Sequence, residues 1–349
     1  MAEILLRLPT SSRRRARLVC RLWRDVVNER SRPKLLLWRA DKAIAYVSGD
    51  LSSPPRTGSC TELWRCSEPG RPRYGLQLVG TCNGLLCLCD NTKGVGGTIT
   101  LLNPATGEEL PVRPLPCAGS FIGTHHSIEW GYAYSFAHHP ITGQYKLVRV
   151  PSSHDRVCEF NAVHVLTLGE AAWREVPVEP GDSTTRLAAG IVSVDGTTYW
   201  VRVTGGGAAK IVSFDLRDER VVSTTIPMPV RRDHYRLTER LTEVHGRLGF
   251  ITGPNVWVLE EGQRWSHRYN FKQDIPRRHF VYGEYVLTYE RLSYYKHMPS
   301  LGRTPTGVGH WDKGTLVADM APCEESSYRN YEAFAYVETT ELIGVYATN

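Results

Sequence analysis

Apolar positions near the start of the chain recur at helical spacing. A first stripe ends at Pro9, and a second follows the segment Thr10–Ser12, whose side-chain oxygens can cap a helix. The apolar positions are Ile4, Leu5 and Leu8, then Leu18, Leu22 and Val26, with Val19, Trp23 and Val27 as a parallel row. Residues 3–27 are therefore predicted to form a short helical hairpin.

This hairpin is too short to be stable on its own. A chain of fewer than about 40 residues rarely buries enough apolar surface to form a core. We therefore expect part of its apolar surface to contact another protein or the rest of the chain. Residues 1–40 are assigned to this helical module.

From Tyr74 onward, the pattern changes to short apolar or alternating runs, which are separated by turn sequences such as Asn-Gly and Asp-Gly. Such runs are typical of β-strands. The clearest are 85–89, 98–102, 145–150, 162–168 and 197–203. Because no amphipathic helical pattern follows residue 40, residues 74–349 are predicted to be all-β. Residues 41–73 include a stretch rich in Ser, Pro and Gly with little periodicity, and a linker with short strands at most is predicted there.

Two kinds of repeat indicate the architecture of the β region. The turn sequences Asn103–Gly107 and His139–Gly143 share a Pro-x-Thr-Gly ending and lie 36 residues apart. Apolar strands that start near Leu101, Val165, Val212 and Val256 are separated by steps of 64, 47 and 44 residues. A step of about 45 residues suits a four-stranded propeller blade, so about six blades are predicted. One or two β-sandwiches are the alternative.

Charge is distributed unevenly along the chain. The net charge is +6, but residues 1–40 hold 11 Lys and Arg against 3 Asp and Glu, a balance of +8. The remaining residues have a balance of −2, so the β region offers no electrostatic reason to bind nucleic acid. Arg13–Arg17 can be a solvated helix face, a surface opposite an acidic partner, or a nuclear-targeting patch, and we favour the first two.

The cysteines and the hydropathy predict a reducing compartment. The chain has nine cysteines, an odd number, and no signal-peptide pattern is seen. No apolar run approaches the length of a membrane span. A cytoplasmic or nuclear location is therefore predicted, with the thiols acting as small buried hydrophobic groups.

Candidate sites for chemistry have simpler explanations. The spacing of Cys82, Cys87 and Cys89 does not fit a zinc site, and the last two share one face of a strand. His139 occupies the first position of a turn, and the glycine-rich stretches near residues 94 and 205 lack the pattern of a phosphate-binding loop. We therefore predict no catalytic residues, no metal and no cofactor. Tyr132, Tyr134, Tyr294 and Tyr295 are weak candidates for binding a protein, because aromatic residues often anchor interfaces.

The hairpin resembles an F-box of the plant type. The resemblance is carried by Glu-Ile-Leu-Leu-Arg-Leu-Pro at residues 3–9 and Arg-Leu-Val-Cys-Arg-Leu-Trp-Arg at residues 17–24. It implies docking onto a Skp-type adaptor and, through it, a cullin-based ubiquitin ligase. The docking residues that it implies are Ile4, Leu5, Leu8, Pro9, Val19, Cys20 and Trp23.

The β region resembles the plant F-box-associated domain, a kelch-like β-propeller. The motifs that carry this resemblance lie at residues 81–88, 102–108, 140–148, 194–200 and 211–216. The implied fold class is α+β and multidomain, with an all-α F-box hairpin followed by an all-β propeller. The implied function is a non-enzymatic substrate adaptor of an SCF-type ubiquitin ligase, whose propeller binds an unknown target protein. The alternatives are an interaction scaffold outside ubiquitination and a carbohydrate-acting propeller enzyme.

Overall fold

The computed structural model describes most of the chain after residue 33. The described residues are 34–39, 44–48, 60–66, 75–93, 95–116, 130–151, 162–178, 184–203, 208–229, 239–261, 263–270, 281–282, 285–290, 293–297, 315–319, 331–339 and 341–347. The predicted F-box hairpin lies outside these residues.

The described residues form β-strands and short 3₁₀ helices, as the alternating apolar pattern predicts. The first strands are β1 (Lys34–Arg39), β2 (Ile44–Ser48) and β3 (Cys60–Arg65), followed by β4 (Leu76–Cys82), β5 (Leu85–Asp90), β6 (Thr98–Asn103) and β7 (Glu108–Pro111). Next come β8 (Tyr134–His138), β9 (Tyr145–Arg149), β10 (Ala162–Thr167) and β11 (Arg174–Pro177).

The second half of the chain continues in the same way. It contains β12 (Thr184–Thr185), β13 (Val192–Val194), β14 (Thr197–Val203), β15 (Ala209–Asp215) and β16 (Arg220–Pro227), then β17 (Arg240–Val244), β18 (Arg247–Thr252), β19 (Asn255–Glu260) and β20 (Arg264–Asn270). The last strands are β21 (Val281–Tyr282), β22 (Tyr285–Glu290), β23 (Ser293–His297), β24 (Thr315–Asp319) and β25 (Glu332–Tyr336). The 3₁₀ helices of the described residues are Trp130–Ala133, Leu187–Ala189 and Ile343–Tyr346.

The strands of the described residues pair into six antiparallel sheets. Sheet 1 has the order β25-β1-β2-β3, sheet 2 is β4–β7, sheet 3 is β8–β11, sheet 4 is β12–β16, sheet 5 is β17–β20, and sheet 6 is β21–β24. In sheet 4, β12 and β13 both pair with β14 and together take the place of one strand. Consecutive strands pair with each other almost throughout, which is the meander expected of propeller blades.

Sheet 1 corrects the prediction of a linker over residues 41–73. Within that range, β2 pairs with β1 on one side and with β3 on the other, and β25 from the end of the chain pairs with β1. The sequence hides these strands because they are short and are separated by segments rich in Ser and Pro. The other partner of β1, strand β25, lies about 300 residues away, so no local pattern indicates that these strands belong to a sheet of the propeller.

The core consists of apolar layers between neighbouring sheets. Between sheets 1 and 2, for example, Leu36 and Trp38 pack against Leu78 and Leu88. Equivalent clusters join sheets 2 and 3, 3 and 4, 4 and 5, and 5 and 6. Fully burying one such side chain stabilises the fold by about 1.5–3 kcal/mol, so each layer holds two sheets face to face.

The repeat read from the sequence matches the sheets. Leu101, Val165, Val212 and Val256 lie on β6, β10, β15 and β19, which are the third strands of sheets 2 to 5. All four side chains are fully buried. The spacing of these apolar strands therefore reported the period of the sheets correctly.

The first strands of the sheets lie next to one another in the order of the sheets. Contacts run from β25 to β4, from β4 to β8, from β8 to β13, from β13 to β17, and from β17 to β21. We call these the inner strands. Their carboxyl ends and the adjoining tight turns lie on one side of the molecule, which we call the turn face.

Candidate functional site

A cavity of about 190 Å³ lies among the inner strands. Its wall is contributed by residues 79–82 of β4, residues 135–138 of β8 and residues 191–193 before and within β13. Glu243 of β17 and Ala335 of β25 complete this part of the wall, and Asp195, Gly196 and Leu216 line it at the turn face. Five sheets thus supply one small chamber, and it lies toward the carboxyl ends of the inner strands.

Hydroxyl groups join the inner strands across the cavity wall. The Oγ of Ser135 lies 2.9 Å from the Oγ of Ser193, which in turn lies 2.7 Å from the Oγ1 of Thr198. The hydroxyl of Thr81 donates a hydrogen bond to the carbonyl of Ala335. Because these bonds use hydroxyl hydrogens, the same oxygens keep lone pairs that can accept further hydrogen bonds.

Two acidic residues line the cavity, Glu243 and Asp195, and both are exposed to solvent. Partial desolvation by the surrounding protein raises the pKa of the Glu243 carboxyl group. A hydrogen bond from the backbone N–H of Gly246 partly offsets the effect. Asp195 occupies the adjacent turn with a left-handed φ of 46°. No Lys or Arg among the described residues lines the cavity.

Cys82 marks the end of the cavity at the turn face. Burial raises the pKa of its thiol to about 12, and the carboxylates of Glu341 and Glu243 act in the same direction. The thiol is therefore neutral at physiological pH and adds no charge to the wall. Both glutamate carboxylates are therefore close enough to Cys82 to disfavour its thiolate.

The C-terminal segment closes the turn face beside this cavity. The carboxylate of Glu341 accepts hydrogen bonds from the hydroxyls of Tyr145, at 2.7 Å, and Tyr346, at 2.9 Å. Its backbone carbonyl accepts a hydrogen bond from the side-chain amide of Asn103, at 2.7 Å. Ile343 is fully buried between sheets 2 and 3. The end of the chain is thus held firmly against the propeller.

The turn predicted at His139 is confirmed. The Nδ1 of His139 accepts hydrogen bonds from the backbone N–H groups of Ile141 and Thr142, at 3.2 and 3.1 Å. Burial, then the positive charge of Lys146, lowers the pKa of His139, so the imidazole is neutral and can accept. In the matching turn, the Oδ1 of Asn103 accepts from the N–H of Ala105, at 3.0 Å.

The prediction that Cys87 and Cys89 are core residues is also confirmed. Cys87 and Cys89 lie on β5, are fully buried, and are free thiols. Burial raises the pKa of both thiols, which keeps them protonated and unreactive. Among the described residues, no group of three or more His, Cys, Asp or Glu side chains is arranged to hold a metal ion.

The tyrosines predicted as candidate anchors for a bound protein differ in how deeply they are buried. Tyr134 is only 3% exposed, and its hydroxyl donates a hydrogen bond to the carbonyl of Gly96, at 2.8 Å, so it acts as a core residue. Tyr132 and Tyr295 are half-buried. Tyr294 lies on β23 next to Tyr295, in a position where its backbone pairs with Ala318. Tyr132 and Tyr295 therefore remain as candidates with accessible side chains.

The residues that the F-box resemblance implies for adaptor docking lie outside the described residues. They are Ile4, Leu5, Leu8, Pro9, Val19, Cys20 and Trp23. The first described residue, Lys34, pairs with Tyr336 at the carboxyl end of β25 and so lies at the turn face.

The residues around the cavity were missed by the sequence analysis. Ser135, Ser193 and Glu243 lie on three different sheets, and each is a polar residue directly flanked by at least one apolar residue of its strand. The only available signal was this interruption, which is also what a solvent-facing strand position looks like. None of the helices of the described residues has the length and apolar character needed to cross a lipid bilayer.

Comparison with known proteins places the two parts of the chain. Residues 50–289 match the family of the F-box associated beta propeller domain, and residues 1–35 match the F-box domain. An F-box protein of Arabidopsis thaliana is 26% identical over 319 residues, which cover 79% of this chain and 72% of that protein. An F-box/kelch-repeat protein of the same plant is 25% identical over 298 residues, which cover 75% of this chain and 74% of that protein.

Similarity to solved structures is weaker. The β-propeller domain of the Trilobed protease from Pyrococcus furiosus aligns with a TM-score of 0.38 and 12% identity, over 64% of this chain and 68% of that chain. A TM-score this low carries no information about activity. The family matches, by contrast, span the helical module and most of the sheets described above. The chain therefore belongs to the F-box proteins that carry an F-box-associated β-propeller domain.

Proposed function

We propose that this protein is a substrate-recognition adaptor of an SCF-type cullin ubiquitin ligase. The F-box docks a Skp-type adaptor, and the propeller binds the target protein. The observation that carries this proposal is the F-box match at residues 1–35, directly followed in the chain by the propeller. In this role the protein catalyses no reaction itself, and it acts in the cytoplasm or the nucleus. It raises the effective concentration of the target near the ubiquitin-conjugating enzyme.

The arrangement of the propeller supports a division between its two ends. The F-box match ends at residue 35, and Lys34 lies at the turn face, where the strands are connected by tight turns such as Asn83-Gly84 and His245-Gly246. The segments that lead from one sheet to the next start from the opposite end, and several are long, as between β7 and β8. We infer that this opposite end receives the target, because long connections provide variable binding surfaces.

We also infer that the propeller has six blades. Six sheets of the described residues follow one another with their inner strands in contact from β25 to β21. Five of the sheets come from residues 76–319, and the sixth combines β1–β3 with β25. Joining both chain ends in one blade would lock a six-bladed ring.

Affinity purification of the full-length chain tests the proposal. We expect the wild-type protein to retain a Skp-type adaptor and a cullin, and Trp23→Ala or Leu8→Asp to abolish both. The matched control is Asn28→Ala, a polar residue directly after the predicted hairpin, which should retain them. Thermal unfolding of the propeller should be the same in all variants, because the substitutions lie outside its sheets.

The same experiment separates the alternatives. If the wild-type chain recovers a target protein but no adaptor or cullin at physiological salt, the protein is a scaffold outside ubiquitination, and the proposal is wrong.

A further inference from the structure

The cavity among the inner strands is suited to a small chemical group. Its volume of about 190 Å³ is below the roughly 300–1,000 Å³ of typical small-molecule pockets. An occupant of this size has only a few non-hydrogen atoms inside the wall. It is either a small free molecule or the end of one side chain of a bound protein.

The hydrogen-bonding capacity of the wall favours an occupant that donates. The hydroxyl of Thr81 already donates to Ala335, and Ser135, Ser193 and Thr198 are linked to one another. These oxygens can therefore mainly accept further hydrogen bonds. An ammonium or a guanidinium group has several donors and no acceptor, so it matches a wall of this kind.

The charge of the wall favours a cation. Glu243 and Asp195 line the cavity, and Glu341 adds to the negative potential at Cys82. Lys146 and Arg217 both lower the pKa of His139, and Lys146 is held by Glu219 at 2.6 Å. Neither cation lines the cavity, and no Lys or Arg is among the described residues that line it.

We propose that this cavity binds one ammonium or guanidinium group, with the carboxylate of Glu243 as its counter-ion and the hydroxyls of Ser135 and Ser193 as acceptors. An organic cation fits better than a metal ion, because the described residues provide no group of three or more metal-ligating side chains. The cation belongs either to a free amine or to a Lys or Arg side chain of a bound protein. The binding is a property of the propeller and does not depend on the F-box.

Isothermal titration of the full-length chain with n-butylammonium, N-acetyl-lysine methylamide and N-acetyl-arginine methylamide tests this site. We expect a dissociation constant of about 1 mM for at least one of them, as suits a contact of few atoms. N-acetyl-norleucine methylamide, which has no cation, should not bind measurably. Glu243→Gln should weaken binding roughly 10–100-fold, because a charge-assisted hydrogen bond is lost.

Controls make the result specific to the cavity. Glu261→Gln, at an exposed glutamate after β19, should leave the affinity unchanged. Ser193→Ala should weaken binding less than Glu243→Gln does. The thermal midpoint of Glu243→Gln should equal or exceed that of the wild type, because burial disfavours the charged carboxylate.

The outcomes decide between the sources and against the proposal. Binding of the capped amino acids and of a Gly-Lys-Gly peptide assigns the site to a side chain of a bound protein, whereas binding of n-butylammonium alone assigns it to a free amine. Binding that is equal for the neutral analogue, or unchanged in a folded Glu243→Gln variant, overturns the proposal, as does a lack of binding by all cationic probes. Because none of these measurements needs the adaptor, their failure is distinct from a failure of the F-box to dock.

Discussion

The Nζ of Lys146 lies 2.6 Å from the Oε1 of Glu219, although the two residues belong to neighbouring sheets. Lys146 is on β9 of sheet 3, and Glu219 is in the turn between β15 and β16 of sheet 4. Arg174 also donates two hydrogen bonds of 2.6 Å to the same carboxylate, and Lys146 donates to the carbonyl of Leu216. One carboxylate therefore ties two sheets together at the turn face.

Replacing Glu219 should destabilise the propeller. The Lys146 side chain is 5% exposed and that of Glu219 is 16% exposed, so Glu219→Gln leaves a nearly buried ammonium without its counter-ion. Breaking a fully buried pair costs about 3–5 kcal/mol, and we expect roughly 2–3 kcal/mol at this partly exposed site. The free energy of unfolding in urea measures the effect.

The control for this prediction is the next residue toward the N-terminus. Asp218 pairs with Arg220 at 3.4 Å, but the two side chains are 51% and 70% exposed. Asp218→Asn should therefore change the free energy of unfolding by less than about 1 kcal/mol. Equal losses for Asp218→Asn and Glu219→Gln would show that the buried pair has no special role.

The same carboxylate should make the protein sensitive to acid. Burial raises the pKa of Glu219, but hydrogen bonds from Arg174 and Lys146 outweigh burial, so the pKa is lowered overall. A lowered carboxyl pKa contributes stability that is fully present above the pKa of the unfolded chain, about 4.3, and is lost as the pH falls through the folded value. The stability difference between wild type and Glu219→Gln should therefore be constant near pH 7 and shrink below about pH 4. Urea unfolding of both proteins across this pH range measures it, and a difference that grows in acid would contradict the assignment.

The shared turns should depend on their closing glycines. Gly107 and Gly143 have φ values of 74° and 71°, and a Cβ at either position would meet no atom within 4 Å. Alanine there is disfavoured only by the left-handed backbone, so we expect each substitution to cost about 1 kcal/mol. Gly344 is equally open but does not have a positive φ, so Gly344→Ala should be neutral or slightly stabilising. Thermal unfolding of the three variants measures the effect. Similar losses of stability in all three would contradict the prediction.

Docking of the F-box should weaken as salt increases. Residues 1–40 have a charge balance of +8, whereas the rest of the chain has −2. Raising the salt from about 0.1 M to about 1 M shortens the Debye length from about 10 Å to about 3 Å and screens any acidic partner surface. We expect retention of a Skp-type adaptor to fall, mainly through slower association, and a variant with Arg13, Arg14 and Arg15 all changed to Gln to show a smaller salt effect. Lys93→Gln, in the propeller, is the control and should behave like the wild type. Adaptor retention by the wild type that is the same at both salt concentrations would contradict the prediction.

Strands and turns of the propeller were predicted correctly where they depend on residues that are close together in the chain. The strands around residues 85–89, 98–102 and 145–150 were predicted from apolar runs, and they form β5, β6 and β9. The turns at Asn103 and His139 were predicted from Pro and Gly, and their Gly107 and Gly143 N–H groups do return to the carbonyls of those residues, at 2.8 and 2.9 Å. Neighbouring residues decide such features.

The pairing of strands in sheet 1 and the residues around the cavity could not be predicted from the sequence. The pairing of Lys34 with Tyr336 joins positions about 300 residues apart, and the contact of Ser135 with Ser193 joins two sheets. No residue in one segment indicates what the other segment will bring beside it. A linker was therefore predicted where β2 and β3 lie.

The sequence by itself determined the β-strand period, the tight turns and the family, because each depends on residues that are close together in the chain. The tertiary structure alone decided which strands close sheet 1, which carboxylate links sheets 3 and 4, and which polar groups surround the cavity. The physical reason is that burial and charge depend on what lies nearby in space. Glu243 and Glu219 are both glutamates in β regions, yet desolvation raises the pKa of one and two cations lower the pKa of the other.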